Sequence, residues 1–208
     1  FRQSAAGTPK RLLSVRAPRA SLPPPRTCIL SAMQPNLHSF PLRPGRVHEV
    51  CGPGATSFAA ILAASGAGPV LWVRQDWVTE VLNPVGLAAF FDPARLLIAQ
   101  APSQTDALAV TEEALRDGSV PLVVTEITRP LDLRQGRRLQ LAAGTGGSTG
   151  LCLIPEGMGS NAAETRWRAA PRLASEEEAD STALRWEIIK NKSGTLGTWD
   201  VLWTDTAH

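Results

Sequence analysis

The stretch Gly45 to Phe58, GRVHEVCGPGATSF, reads as a short apolar strand running into a glycine-rich turn and then a helix. That is the order in which a phosphate-binding loop is built. In the form G-x-x-x-x-G-K-[ST], backbone N–H groups cradle the phosphates, a lysine neutralises them and a hydroxyl holds magnesium. Here Gly52 opens the turn, but Ser57 stands where the second glycine belongs and Phe58 where the lysine belongs. Gly52, Pro53, Gly54, Thr56 and Ser57 are therefore a remnant. Either they still offer amides to an anion at the start of the following helix, or they keep only the strand-to-helix turn. No lysine occurs between Lys10 and Lys190, so nothing nearby replaces the missing cation. The structural role is the favoured expectation, with Phe58 packing inward and ATP and magnesium disfavoured as cofactors.

Other chemistry is sparse. The run Gly144–Gly150, GTGGSTG, follows a predicted helix and opens a strand, the reverse of a phosphate loop, and is expected to be a flexible connector. Arg134, Arg137 and Arg138 recur at i, i+3 and i+4 on a predicted helix, where they meet a phosphate backbone or an acidic partner, or are simply solvated. Cys28, Cys51 and Cys152 are odd in number and widely spaced, without a C-x-x-C pair, which excludes a recognisable zinc site and fits a reducing compartment. Cys51 and Cys152 are expected as small buried hydrophobes. His38, His48 and His208 are scattered, and no Ser/His/Asp or Cys/His grouping emerges.

A chain of 208 residues with 43% hydrophobic content buries one full core and leaves no room for a second large domain. No apolar run reaches the roughly 18–20 residues that cross a bilayer, so a soluble chain without membrane contact is expected. The net charge of +2 conceals an asymmetry. Residues 1–48 hold eight Lys/Arg and no acid, whereas residues 49–208 hold thirteen Lys/Arg against nineteen Asp/Glu, a net of minus six. Such a body does not grip nucleic acid by a general positive field.

These groups need elements to position them. Residues 1–44 are rich in Arg, Ser, Ala and Pro, include Pro23-Pro24-Pro25, and are expected to be disordered. An Arg-rich, acid-free start also fits a transit peptide, while a chain opening on Phe1 leads us to expect an upstream extension or a truncated start. From Arg46 the pattern predicts a strand at Val47–Cys51, a buried helix at Ser57–Ser65 and a strand at Pro69–Val73. A helix near Asp76–Leu82, an apolar turn at Leu87–Phe91 and a strand at Arg95–Gln100 follow. Ser103 to Asp117 is the clearest helix: Ser103 and Asp106 form a capping-box-like start, Ala107, Leu108, Thr111 and Leu115 share a face, and Gly118 stops it. A strand at Val120–Thr125, a helix at Leu131–Ala143 and a strand at Leu151–Ile154 complete the alternation. Beyond Glu156 only strands are predicted, at Thr165–Leu173, Leu184–Lys190 and Thr198–Thr204, with a solvated acidic loop at Glu176, Glu177, Glu178 and Asp180. The expected class is α/β: a mainly parallel sheet flanked by helices on both faces, with antiparallel strands at the C-terminal end.

The segment GR-V-x-EV-x-GP resembles the start of the RecA ATPase core, where a strand carrying a glutamate, here Glu49, turns into the phosphate loop. Ile188-Ile189-Lys190-Asn191-Lys192 resembles the RecA strand whose two lysines reach the nucleotide of the neighbouring subunit. From about Gly45 to Thr204 the chain is most similar to the ImuA family, degenerate RecA-like proteins of bacterial damage-induced mutagenesis. The marks are HEV-x-GP, Gly68-Pro69-Val70-Leu71-Trp72-Val73-Arg74, Phe91-Asp92-Pro93-Ala94-Arg95-Leu96-Leu97, Ala163 with Thr165-Arg166-Trp167-Arg168, and Gly197-x-Trp199-x-x-x-Trp203, in that order.

The resemblance implies a RecA-like domain over residues 45–208 with a degenerate phosphate loop, and a binding module rather than an enzyme. It places Asp76 where a water-activating carboxylate would stand, although Asp there is more often an N-cap. It places Glu126 where a weak magnesium-holding acid would follow its strand. Lys190 and Lys192 point to one side of a strand near a hairpin tip, toward a neighbour's nucleotide or into solvent. It further implies an accessory protein of the SOS response, acting in translesion synthesis in the bacterial cytoplasm. Its partners would be an ImuB-like Y-family protein and an error-prone DnaE-type polymerase, with RecA or a second copy as further candidates and DNA contact indirect or weak. The alternatives are a SulA-like division inhibitor capping FtsZ and a weak DNA-dependent ATPase. A docking surface is expected at Lys190 and Lys192 or at Arg134, Arg137 and Arg138, with the strands of Trp167, Trp186, Trp199 and Trp203 next.

Overall fold

The computed structural model describes residues 27–29, 40–176 and 181–204. The readings made for Pro23–Pro25, the Cys28 side chain, His38, Glu177, Glu178, Asp180 and His208 lie outside the described residues.

In chain order the elements are β1 (Thr27–Ile29), β2 (Val47–Cys51), α1 (Ala55–Ser65), β3 (Val70–Gln75), α2 (Pro84–Ala88), a 3-10 turn (Pro93–Arg95) and β4 (Leu96–Ala101). There follow α3 (Gln104–Asp117), β5 (Leu122–Glu126), α4 (Leu133–Gly146), β6 (Thr149–Leu153), β7 (Thr165–Pro171), β8 (Ser181–Asn191) and β9 (Gly197–Thr204). One sheet takes all the strands in the order β1-β9-β8-β7-β2-β6-β5-β3-β4. From β7 to β4 every pairing is parallel, and β8, β9 and β1 extend the sheet antiparallel. The predicted mixed α/β sheet is thus present, with Val47–Cys51 at its centre and buried throughout, as a parallel strand covered on both faces must be.

The two faces carry separate cores. On one, α1 lays Phe58 to Ala63 against Trp72, Trp167, Trp186, Trp199 and Trp203. On the other, α3 and α4 cover Val47, Cys51, Val73, Val123 and Cys152, so both described cysteines are the buried hydrophobes expected of them. The tryptophans of the C-terminal strands are between 0% and 9% exposed, so these side chains belong to the core.

Local chemistry explains the helix ends. Ser103 Oγ accepts the Asp106 N–H at 3.2 Å, and Gly118 closes α3 in the left-handed region (φ +80°). At α4, Asp132 and Gln135 form a reciprocal capping box, with the Gln135 N–H to Asp132 Oδ1 at 2.7 Å and the Asp132 N–H to Gln135 Oε1 at 3.0 Å.

Three expectations are corrected. No helix occupies Asp76–Leu82. The β-branched run there does not hold a helix, and the helical turn begins later, where Asn83 Oδ1 accepts the Val85 N–H at 3.0 Å and Pro84 sits at the first helical position. The glycines of 144–150 are not a flexible connector. α4 runs through Gly146, Gly147 caps it at φ +74°, and a Cβ at Gly146 would lie 2.1 Å from Leu115 O, so glycine there permits the close approach of α3 and α4. Finally, part of the segment read as disordered is ordered: Thr27–Ile29 pairs with β9, Leu42 is buried, and Phe40 packs on the α1-face core.

Candidate functional site

β2 delivers the chain to the glycine turn, and the turn lies down on the neighbouring strand β7. The Gly54 N–H donates to Ala169 O at 2.9 Å, and the Ala55 N–H turns back to Gly52 O at 3.0 Å. A Cβ at Gly52, which adopts φ +91°, would sit 2.5 Å from Ala169 O, and one at Gly54 2.9 Å from Ala169 C. The glycines therefore serve a close backbone contact within the chain, and these amides are spent on carbonyls rather than aimed at an anion. Phe58, at the lysine position, is fully buried, with ring centroids 4.5 Å from Trp186, 5.3 Å from Trp167 and 5.9 Å from Phe40. It packs between α1 and the aromatic face of the sheet, in the inward direction expected.

Beside the turn, at the carboxyl ends of β3 and β5, a cleft of about 360 Å³ is lined by Thr56, Ser57, Ala60, Leu82, Asn83, Leu87, Phe90, Arg74 and Glu126, among others. Open α/β sheets bind ligands at this end. Its polar floor satisfies itself. Arg74 Nε and Nη2 donate to Glu126 Oε2 at 3.2 and 3.1 Å, Arg74 Nη1 donates to Glu80 O, and Trp72 Nε1 donates to Glu126 Oε1 at 2.8 Å. Both oxygens of Glu126 are thus engaged, which leaves it poorly suited to hold magnesium. Asp76 is exposed, does not line the cleft and caps no helix; its N–H donates to Ala101 O at 3.0 Å. The structure does not bring Asp76 to the loop remnant.

Lys190, near the end of β8, and Lys192, just past it, both turn to carbonyls of their own chain. Lys190 Nζ donates to the carbonyls of Ser160 (3.0 Å), Asn161 (3.0 Å) and Ala163 (2.8 Å), and Lys192 Nζ donates to Ala162 O at 2.6 Å. Burial of the ammonium, with Arg166 nearby, lowers the Lys190 pKa. Four carbonyls of the 160–163 loop hold the two ammonium groups, with Lys190 half-buried and Lys192 exposed. Under the same loop Glu49, 1% exposed, accepts the Ser160 N–H and Arg166 Nε, each at 2.7 Å. Arg134, Arg137 and Arg138 are all exposed on α4, and Arg138 Nη2 is 2.7 Å from Glu112 Oε2 on α3.

Two groups escaped the sequence reading. Arg74 follows the apolar run of β3 one residue before the strand ends, and that oddity was its only signal. His48 is 1% exposed; its Nε2–H donates to Arg43 O at 3.0 Å, so Nδ1 accepts from the Thr165 hydroxyl at 2.7 Å, and burial lowers its pKa.

The solved structure of the RadB recombinase superposes on this chain with a TM-score of 0.55 at 14% identity, covering 75% of this chain and 87% of that one. The fold is RecA-like. No protein-family model and no curated protein sequence matches the chain. Among the described residues no helix is long and apolar enough to cross a membrane, and no group of three or more His, Cys, Asp or Glu is placed to hold a metal.

Proposed function

We propose that this chain is a non-catalytic RecA-like accessory protein of DNA damage-induced translesion synthesis, working through protein partners in a mutagenic polymerase complex. The observation that carries the non-catalytic half is the Gly54 N–H to Ala169 O bond with Phe58 buried beneath it. Phosphoryl transfer depends on preorganised amides and cations around the phosphates, and this turn commits Gly54 and Ala55 to carbonyls and has no lysine. ATP and magnesium have no part in this reading. The biological half rests on the ImuA-like sequence marks, with an ImuB-like Y-family protein and an error-prone DnaE-type polymerase as partners. The chain's contribution would be a rigid surface, and its loss would remove the complex without removing any reaction of its own.

The test has two arms. Purified protein should show no steady ATP hydrolysis, with or without single-stranded DNA; hydrolysis abolished by Asp76→Asn or Glu126→Gln would overturn the non-catalytic reading. Deleting the chain's gene should lower mutation frequency after ultraviolet damage. If overexpression instead blocks division and deletion leaves mutagenesis untouched, the chain belongs with the FtsZ-capping inhibitors.

A further inference from the structure

Among the described residues the cations are almost all spoken for. Arg74, Arg166, Arg168, Arg185, Arg116 and Arg138 meet carboxylates, while Lys190, Lys192 and Arg95 meet carbonyls. Among the described residues, the cationic side chains with neither a hydrogen bond nor an ion pair are Arg129, Arg134 and Arg137. All three are exposed, and all fall within the turn after β5 and the first half of α4.

Apolar side chains accompany them. Leu133 is 47% and Leu141 72% exposed, and with Arg137 between them they form an i, i+4, i+8 row along α4, flanked by Arg134. Eight residues of helix set the two leucines about 12 Å apart, about two turns.

The surface is also held rigid from behind. Gln104, 4% exposed, grips the preceding turn: its Oε1 accepts the N–H groups of Thr128 (3.0 Å) and Arg129 (2.8 Å), and its Nε2 donates to Arg129 O at 2.9 Å. The inner side of α4 rests on the loop that the two lysines hold. A Cβ at Gly136 would lie 2.3 Å from Ser160 Oγ, and Gln140 Nε2 donates to Ala162 O at 3.0 Å. Lys190 and Lys192 are in this arrangement positioning residues for α4. Preorganised cations and apolar anchors lose little entropy on binding.

We propose that the Arg129–Leu133–Arg134–Arg137–Leu141 stripe docks an acidic, leucine-bearing segment of a partner protein. The inference rests on the reading that the chain acts through partners and names the surface. Charge complementarity sets the sign of the partner, since three unpaired guanidiniums stand on a body whose residues 49–208 carry a net of minus six. The same acidic body disfavours a nucleic acid. So do the leucines, and residues 129–141 contain no aromatic side chain on which a base could stack.

The experiment uses the full chain and a fluorescein-labelled synthetic helix with leucine at i, i+3, i+4 and i+7 and glutamate elsewhere. Fluorescence anisotropy should show binding that weakens about tenfold or more with Arg134→Glu plus Arg137→Glu, and likewise with Leu133→Ser plus Leu141→Ser. Melting curves of both variants should match the wild type, because every altered side chain is exposed. A peptide that does not bind, or binds equally to both variants, overturns the proposal. So does equal binding of an oligothymidylate with a steep salt dependence, which marks a nucleic-acid surface, or concentration-dependent self-association lost in the variants, which marks a contact between copies. In cells the failures separate. If deletion leaves damage-induced mutagenesis unchanged, the proposed function fails; if deletion lowers it and both variants restore it fully, only the surface fails.

Discussion

Phe58→Lys restores the residue that the phosphate loop lacks, and the expected outcome is loss of the fold rather than gain of ATP binding. Phe58 is fully exposed to neither solvent nor cleft; it has 0% exposure and touches three aromatic rings at 4.5 to 5.9 Å. Removing a buried phenylalanine costs about 3–5 kcal/mol, a figure that already contains the loss of its ring contacts. An ammonium placed there finds no acceptor and must shed its proton or force its way out, at a further cost of a few kcal/mol. The sum, about 5 kcal/mol or more, equals or exceeds the low end of the roughly 5–15 kcal/mol that holds a domain together. Urea denaturation followed by tryptophan fluorescence reads the stability, and a fluorescent ATP analogue reads binding. Phe58→Leu, which keeps an apolar side chain, should lose less than half as much. A Phe58→Lys protein within about 1 kcal/mol of wild type that gains ATP binding would refute the reasoning, because it would show that the loop lacked a lysine and nothing more.

Glu126→Gln should destabilise by about 2 kcal/mol because it strands the Arg74 guanidinium, itself 7% exposed. In an Arg74→Met background the same change should cost less than half, a coupling that a double-mutant cycle in urea measures. Because burial lowers the His48 pKa below its ordinary 6.5, the unfolded chain binds the proton first, so the contribution of the neutral ring is complete above pH 6.5 and is lost as pH falls below it. The urea midpoint should fall between about pH 7 and 5, more steeply than in His48→Gln; equal slopes would refute the assignment. Glu164, Arg43 and Arg46 face the same ring and are retained in that variant. Lys190→Met should cost about 2–3 kcal/mol by leaving the carbonyls of Ser160, Asn161 and Ala163 without their shared donor, and a change below about 0.5 kcal/mol would return the pair to the solvent.

Much of the architecture was legible because its signals are short-range. Caps at Ser103 and Gly118, the buried α1 pattern and the strand–helix alternation act over a few residues, and they predict the elements that the sheet then collects. The absent lysine was legible for the same reason, since a loop motif is contiguous. What the sequence left open was which charges meet. Arg74 finds Glu126 across a separation of 52 residues because β3 and β5 are neighbours in register. Lys190 finds Ser160 across 30 residues because β8 folds back on β7 through a shifted register at Arg166 and Trp167, which brings it over the loop before β7. Composition by itself marks a group as charged and nothing further. A buried or half-buried charge must be compensated, and only strand order and register decide by which neighbour. The lysines that looked free are therefore tied down by this chain's own carbonyls, and among the described residues the arginines without a partner stand in the turn before α4 and on its exposed face.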